Sequence, residues 1–199
     1  MILGSHVGFG KDQILGSLKE ALSYNANAFM FYTGAPQNTL RSKIDLNIVE
    51  EFKKEIVNNN IDINNIICHA PYIINLANNI NKDSWDFSIS FLKQEIERCE
   101  LLGVKYIVLH PGSSVKLSRE DGITNIVEAL KIVLSKDINC TILLETMAGK
   151  GSECGITTKE IKEIIDRVNS NNLGVCLDTC HLNDAGYDMK NFDNYLRSE

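Results

Sequence analysis

Proline is scarce, with three among 199 residues, and tryptophan occurs once. No apolar run approaches the ~18 residues that a membrane span needs, which argues against a transmembrane helix. Met1 to Gly10 lacks a basic region followed by an apolar stretch and a small-residue cleavage site. A secretory signal is therefore not expected, and the expected address is the cytoplasm. None of the six cysteines, Cys68, Cys99, Cys140, Cys154, Cys176 and Cys180, forms a C-x-x-C pair. That spacing supports neither a disulfide framework nor a cysteine-type zinc finger, and the thiols read as reduced and mostly buried. Basic residues are outnumbered by acidic ones, 20 to 26, for a net charge of −6. Such a balance argues against holding nucleic acid through a broad basic surface, although bound metal ions can supply positive charge locally.

What is present is ordinary for a folded chain: 44% hydrophobic and 23% charged residues exclude intrinsic disorder. Short apolar runs rich in β-branched and aromatic residues recur at Ile2–Val7, Ala28–Tyr32, Ile66–His69, Tyr106–His110, Thr141–Glu145 and Leu173–Asp178. They read as buried strands. Between them lie stretches of helical period, such as Trp85, Ile89, Leu92, Ile96, Cys99 and Leu102, with Gly103 as the stop. Another opens with Thr157 and Glu160 at capping-box spacing. The segment from Asn183 to Glu199 reads as too short and polar to close a sixth unit.

Strand alternating with helix predicts a parallel sheet with right-handed crossovers. No linker or composition break divides residues 1–199, so a single domain is expected. Both a doubly wound open sheet and a closed barrel fit the alternation. The first should carry G-x-G-x-x-G after its opening strand, and Gly4, Gly8 and Gly10 lack that spacing. A (β/α)8 TIM barrel is favoured, with about six of its eight units present, since a complete barrel takes about 250 residues.

The polar residues then acquire a pattern. His69, His110 and His181 lie at or just past strand ends, His6 lies near the end of the first, Glu145 closes one run and Asp178 another. A lone histidine at such a place is more often a hydrogen-bonded structural residue, and a lone acid a cap. Their joint placement on the rim where barrel active sites sit points to a metal site. Mixed imidazole and carboxylate donors suit zinc, manganese or iron. A carboxylate such as Glu145 can bridge two ions, the arrangement used for displacement at phosphorus. A serine-nucleophile reading is weaker, because no G-x-S-x-G occurs.

The stretches CHAPYIINLAN at 68–78, HPGS at 110–113, LETMAGKGSECG at 144–155 and VCLDTCH at 175–181, then AGYD at 185–188, resemble the signature blocks of endonuclease IV. GSHVGFG near the start and FYTGAPQNT at 31–39 resemble its bacterial members, so the likeness runs from Met1 to about Tyr187. It implies a (β/α)8 barrel with three zinc ions, and hydrolysis of the DNA backbone on the 5′ side of abasic sites in base excision repair. His69, His110 and Glu145 correspond to the ligands of the first zinc, Asp178 to a second-zinc ligand beside Glu145, and His181 to a third-zinc ligand. Glu145 is the residue through which metal and catalysis meet. The remaining ligands of the family come from later blocks, which these residues do not contain. Tyr72 and Ile73 correspond to a wedge in the minor groove, and Gln37, Asn38 and His6 are further candidate DNA contacts, with Arg41 able to reach the backbone. The likeness implies double-stranded DNA with abasic sites as partner, no membrane, and a monomer at full length.

A sugar isomerase or epimerase on a xylose-isomerase-like barrel would also explain the rim of acids and histidines. A zinc-binding barrel without turnover is a further possibility. Six strands leave the edges of Ile2–Val7 and Leu173–Asp178 open, so the chain as written is expected to associate, to fill only the first zinc site and to incise negligibly.

Overall fold

The computed structural model describes every residue except 193, 195, 196, 198 and 199. Among the described residues six strands alternate with six helices. They are β1 (Gly4–His6), α1 (Gln13–Ser23), β2 (Ala28–Phe31), α2 (Leu46–Asn58), β3 (Ile66–His69), α3 (Lys82–Leu102), β4 (Tyr106–Leu109), α4 (Arg119–Val133), β5 (Thr141–Glu145), α5 (Thr158–Val168), β6 (Leu173–Cys176) and α6 (Thr179–Asp184). Short 3-10 turns cover Ile63–Asn65 and Met189–Asn191. The part of the Asn183–Glu199 segment at 193, 195, 196, 198 and 199 lies outside the described residues. Among the described residues no helix is long and apolar enough to cross a membrane.

The chain divides into two compact units: residues 1–73, 92–108 and 138–141 form one, and residues 74–91, 109–137 and 142–199 the other. In the first unit β1, β2, β3 and β4 pair in chain order, all parallel, with Gly4 opposite Ala28, Phe29 opposite Ile66 and His69 opposite Val108. Thr141, where β5 begins, donates its amide to the Lys105 carbonyl at 2.7 Å, so the ladder continues past β4 within this unit. Phe31, Phe52, Ile14, Leu18, Ile66 and Ile107 are fully buried there. Each removes apolar surface from water at about 25 cal/mol per Å². A side chain at Gly4 would put its Cβ 2.1 Å from the Ala28 carbonyl oxygen, so only glycine lets β1 lie this close to β2.

In the second unit β5 and β6 pair in parallel, Ile142 opposite Leu173 through Glu145 opposite Cys176. Helices α4 and α5 pack against each other, with Ile126, Leu130 and Ile164 fully buried. The Thr157 side chain caps α5 by accepting the Glu160 amide. Glu160 turns back to accept the amides of Gly155 and Ile156, a reach one to two residues longer than the usual capping box. Gly103, at φ +76°, ends α3 in the left-handed conformation anticipated from its position.

Two strand readings need correction. The run Ile2–Val7 forms a strand only at Gly4–His6, with Ile2 and Leu3 exposed, and Leu173–Asp178 stops at Cys176, with Val175 43% exposed. Among the described residues β1 pairs with β2 alone and β6 with β5 alone. A strand with one neighbour buries less of its surface than its apolar composition suggests. Smaller differences are β2 ending at Phe31 and β4 at Leu109, each one residue short.

Candidate metal centre

The second unit gathers four of the expected residues. Glu145, last residue of β5, is 5% exposed. Its Oε2 lies 3.0 Å from His110 Nε2, and its Oε1 lies 3.3 Å from His181 Nδ1. The two imidazoles meet edge to face with centroids 5.8 Å apart. Asp178 Oδ2 is 3.8 Å from His181 Nδ1. Glu145, Asp178 and His181 each offer a ligand atom, all within 4.8 Å of one another.

Local backbone chemistry sets these positions. Asp178 caps α6, its side chain accepting the His181 amide at 2.7 Å, which fixes the two at i and i+3. Thr146, directly after Glu145, ties both strand ends together. Its amide donates to the Cys176 carbonyl at 3.0 Å, its hydroxyl oxygen accepts the Asp178 amide at 3.0 Å, and its carbonyl lies 2.9 Å from His181 Nδ1. With Nδ1 donating there, a neutral ring presents its lone pair at Nε2. Burial, then the charges of Glu145 and Asp178, push the Cys176 thiol up to about 12.

The loop after β4 is laced to its neighbours in this unit. Asn75 Nδ2 donates to the Ser113 carbonyl at 2.9 Å, and its Oδ1 accepts the amides of Ser113 and Ala77, each at 3.0 Å. The Ser152 hydroxyl oxygen accepts the Val115 amide at 2.9 Å, and Ser113 and Ser152 share a hydroxyl bond of 2.7 Å. Gly112, at φ +129°, allows the approach: a Cβ there would sit 2.4 Å from Asn75 Oδ1.

The first unit gathers a different set. His69 closes β3, buried, with Nδ1 2.7 Å from the Ala70 carbonyl. Donation to that carbonyl leaves the lone pair at Nε2, the orientation a metal-binding histidine needs. Tyr32 stacks on His6 at 5.1 Å, lies 5.0 Å from the His69 ring, and its hydroxyl pairs with that of Tyr72 at 2.5 Å. Tyr72 is 52% exposed, Ile73 half-buried, and Gln37 and Asn38 are exposed. Arg41 does not reach outward as anticipated: its side chain is 2% exposed, and Nε donates to Glu95 Oε1 at 2.6 Å. Thr146, Tyr32, Asn75 and Glu95 were missed because Thr, Tyr, Asn and Glu at such places look like ordinary strand, loop and helix residues.

The described residues thus place a shared carboxylate between imidazoles on one strand end and an aromatic–histidine cluster on others. The family model of the xylose isomerase-like TIM barrel matches residues 18–199. The protein named "Probable endonuclease 4" of Mesoplasma florum is 51% identical over 198 residues, covering 96% of this chain and 68% of its own. Its namesake from Bacillus subtilis strain 168 is 50% identical, covering 98% and 66%. This chain belongs to the endonuclease IV family. Among solved structures, endonuclease IV from Thermus thermophilus superposes with a TM-score of 0.79 at 26% identity, over 98% of this chain and 70% of that one. A D-psicose 3-epimerase reaches 0.73 at 14% identity, which speaks for the barrel fold alone. The chain spans about two thirds of the length of these relatives.

Proposed function

We propose that this endonuclease IV family member acts as an apurinic/apyrimidinic endonuclease, hydrolysing the DNA backbone on the 5′ side of abasic sites. The observation that carries the reading is Glu145, a buried carboxylate with one oxygen toward His110 and the other toward His181, and Asp178 beside them. Two neighbouring carboxylates, one of them buried, are stabilised by a cation, and the imidazoles beside them are themselves metal donors. The donor set fits zinc: imidazole nitrogen from the histidines and carboxylate oxygen from Glu145 and Asp178. His69, His110 and Glu145 would hold one zinc, Asp178 would join Glu145 on a second, and His181 would serve a third. Bound zinc supplies Lewis-acid charge at phosphate oxygens and lowers the pKa of water.

The chain's own residues do the rest. Glu145 and Asp178 supply negative charge that selects a cation at this rim, and Thr146 holds Asp178 and His181 at fixed reach from Glu145. Tyr72, with its exposed ring, and Ile73 fill the space a missing base leaves in the stack; an abasic nucleotide costs less to extrude than a paired one. Gln37, Asn38 and His6 contact the strand. The partner is double-stranded DNA carrying abasic sites, the protein acts as a monomer at full length, and its compartment is the cytoplasm.

Incision of an end-labelled duplex with one abasic site, alongside zinc content by mass spectrometry, tests this reading. Cleavage 5′ to the lesion leaving a 3′-hydroxyl, lost on chelation and restored by zinc, is the expected result. A zinc-loaded chain that leaves the duplex intact but interconverts free ketoses would overturn it in favour of an epimerase.

A further inference from the structure

The loop that follows β2, residues 33–41, is held from inside by one buried carboxylate. Glu95 of α3 is 0% exposed, and each of its oxygens takes one end of the loop. Thr33 Oγ1 donates to Oε2 at 2.6 Å, and Arg41 Nε donates to Oε1 at 2.6 Å. The guanidinium of Arg41 then serves as the hub of the loop. Its Nη1 donates to the carbonyls of Leu40 at 2.8 Å, Asn38 at 3.1 Å and, more weakly, Ala35 at 3.4 Å. Gly34 makes room for it, because a Cβ there would stand 2.8 Å from Nη1. One turn along the helix, Arg98 closes the base: Nε and Nη2 donate to the hydroxyl and carbonyl of Thr33 at 2.9 Å, and Nη1 donates to the Ser42 carbonyl at 2.8 Å. The outward side of the loop, Gln37 to Leu40, remains exposed.

Such a network is more than a surface loop requires. A connection of nine residues with an exposed tip normally loses order, and ordering it on binding weakens the complex. Here two helix side chains at i and i+3 fix both ends, and an inward arginine satisfies the carbonyls between them.

We propose that Glu95 is a positioning residue for nucleic-acid contact, holding loop 33–41 in the shape that presents Gln37 and Asn38 to the strand. This rests on the reading of the protein as an abasic-site endonuclease that touches DNA through those two residues. Glu95 touches no substrate. It acts through Arg41, and its contribution is the loop entropy removed before DNA arrives.

The test is a cycle in the full chain comparing wild type, Glu95→Gln, the double variant Gln37→Ala with Asn38→Ala, and the triple combination. Glu95→Gln should raise KM for an abasic duplex about tenfold while kcat at saturating DNA stays within about threefold, since only preorganisation is lost. Zinc content should not change. The loop-tip variant should raise KM similarly, and the triple variant should add little to either, because both remove the same contacts. Arg41→Lys keeps the charge but not the fork and should behave like Glu95→Gln, which covers the case that Glu95→Gln folds poorly. Unchanged KM in Glu95→Gln and Arg41→Lys, with a raised KM in the loop-tip variant, overturns the positioning role and leaves the endonuclease reading standing. Fully additive effects overturn it too, since they assign Glu95 a scaffolding role only. A full-length wild-type protein that does not incise abasic DNA removes the endonuclease reading, and the proposal with it.

Discussion

Glu95 and Glu145 are both buried glutamates, and the two units use them for opposite purposes. Glu95 is met by Arg41 and Thr33 with short bonds, and Arg98 packs beside it. Burial of the Arg98 guanidinium lowers its pKa and Glu95 opposes that shift, so one carboxylate offsets in part the two guanidiniums around it. Glu145 is met instead by the imidazoles of His110 and His181 and lies near a second carboxylate, Asp178. A guanidinium cannot give up its proton to become a ligand, whereas an imidazole can. The first arrangement is closed by permanent cations of the chain; the second is built of groups that can all turn to an ion. Burial alone therefore does not mark a functional acid, but the kind of partner does.

Substitution at each site should separate these purposes. The largest effect is on folding: Glu95→Ala leaves buried guanidiniums without their counter-charge and should cost about 3–5 kcal/mol of stability. Urea denaturation monitored by circular dichroism measures it, and a cost no larger than that of an exposed residue would erase the contrast. Glu145→Gln should instead spare the metal-free fold and lower incision about 10²–10³-fold, together with a fall in bound zinc. Retention of the rate within about tenfold would remove Glu145 from the proposed metal site. Next comes the role proposed for Tyr72 and Ile73, both in the first unit. Replacing Tyr72 and Ile73 together by alanine should weaken binding of abasic duplex by about 1–3 kcal/mol while intact duplex binds nearly as before. Fluorescence anisotropy with both duplexes gives the ratio, and equal weakening of both would reduce the pair to scaffold. The smallest change is a control in the second unit. Thr157→Ala removes the α5 cap and should cost about 1 kcal/mol with no change in kcat; a fall in kcat would mean that mild destabilisation of the second unit imitates the loss of Glu145.

The legible part of the molecule was that governed by local pattern. The β3 and β5 bounds agree with the apolar runs, Gly103 stops α3, and Thr157 caps α5, because periodicity and capping are read within a few residues. Glu145, Asp178, His110 and His181 were singled out because each lies at or just past a strand end, and parallel strands bring their ends to one rim. The misjudged part depended on neighbours distant in sequence. Ile2, Leu3 and Val175 have core composition but edge exposure, since the number of strand partners is not written in a strand's own residues. Arg41 looked like a phosphate contact because a basic residue in a polar loop usually faces water. Only the structure reveals Glu95, 54 positions away, turning it inward. Tyr32 carried no signal beyond strand propensity, although its hydroxyl meets that of Tyr72.

Thr146 has a consequence for how a cation would be captured. Its amide, hydroxyl and carbonyl are each committed to the segment 176–181, so Asp178 and His181 take their distances from Glu145 when β6 docks on β5. The cost of confining three flexible donors is met during folding rather than at the moment an ion arrives. An entering ion would exchange water for ligands already in place and would need no rearrangement of the chain. It would also inherit the spacing chosen by the sheet, so the selection of ion size would be set by strand register and not by the reach of side chains.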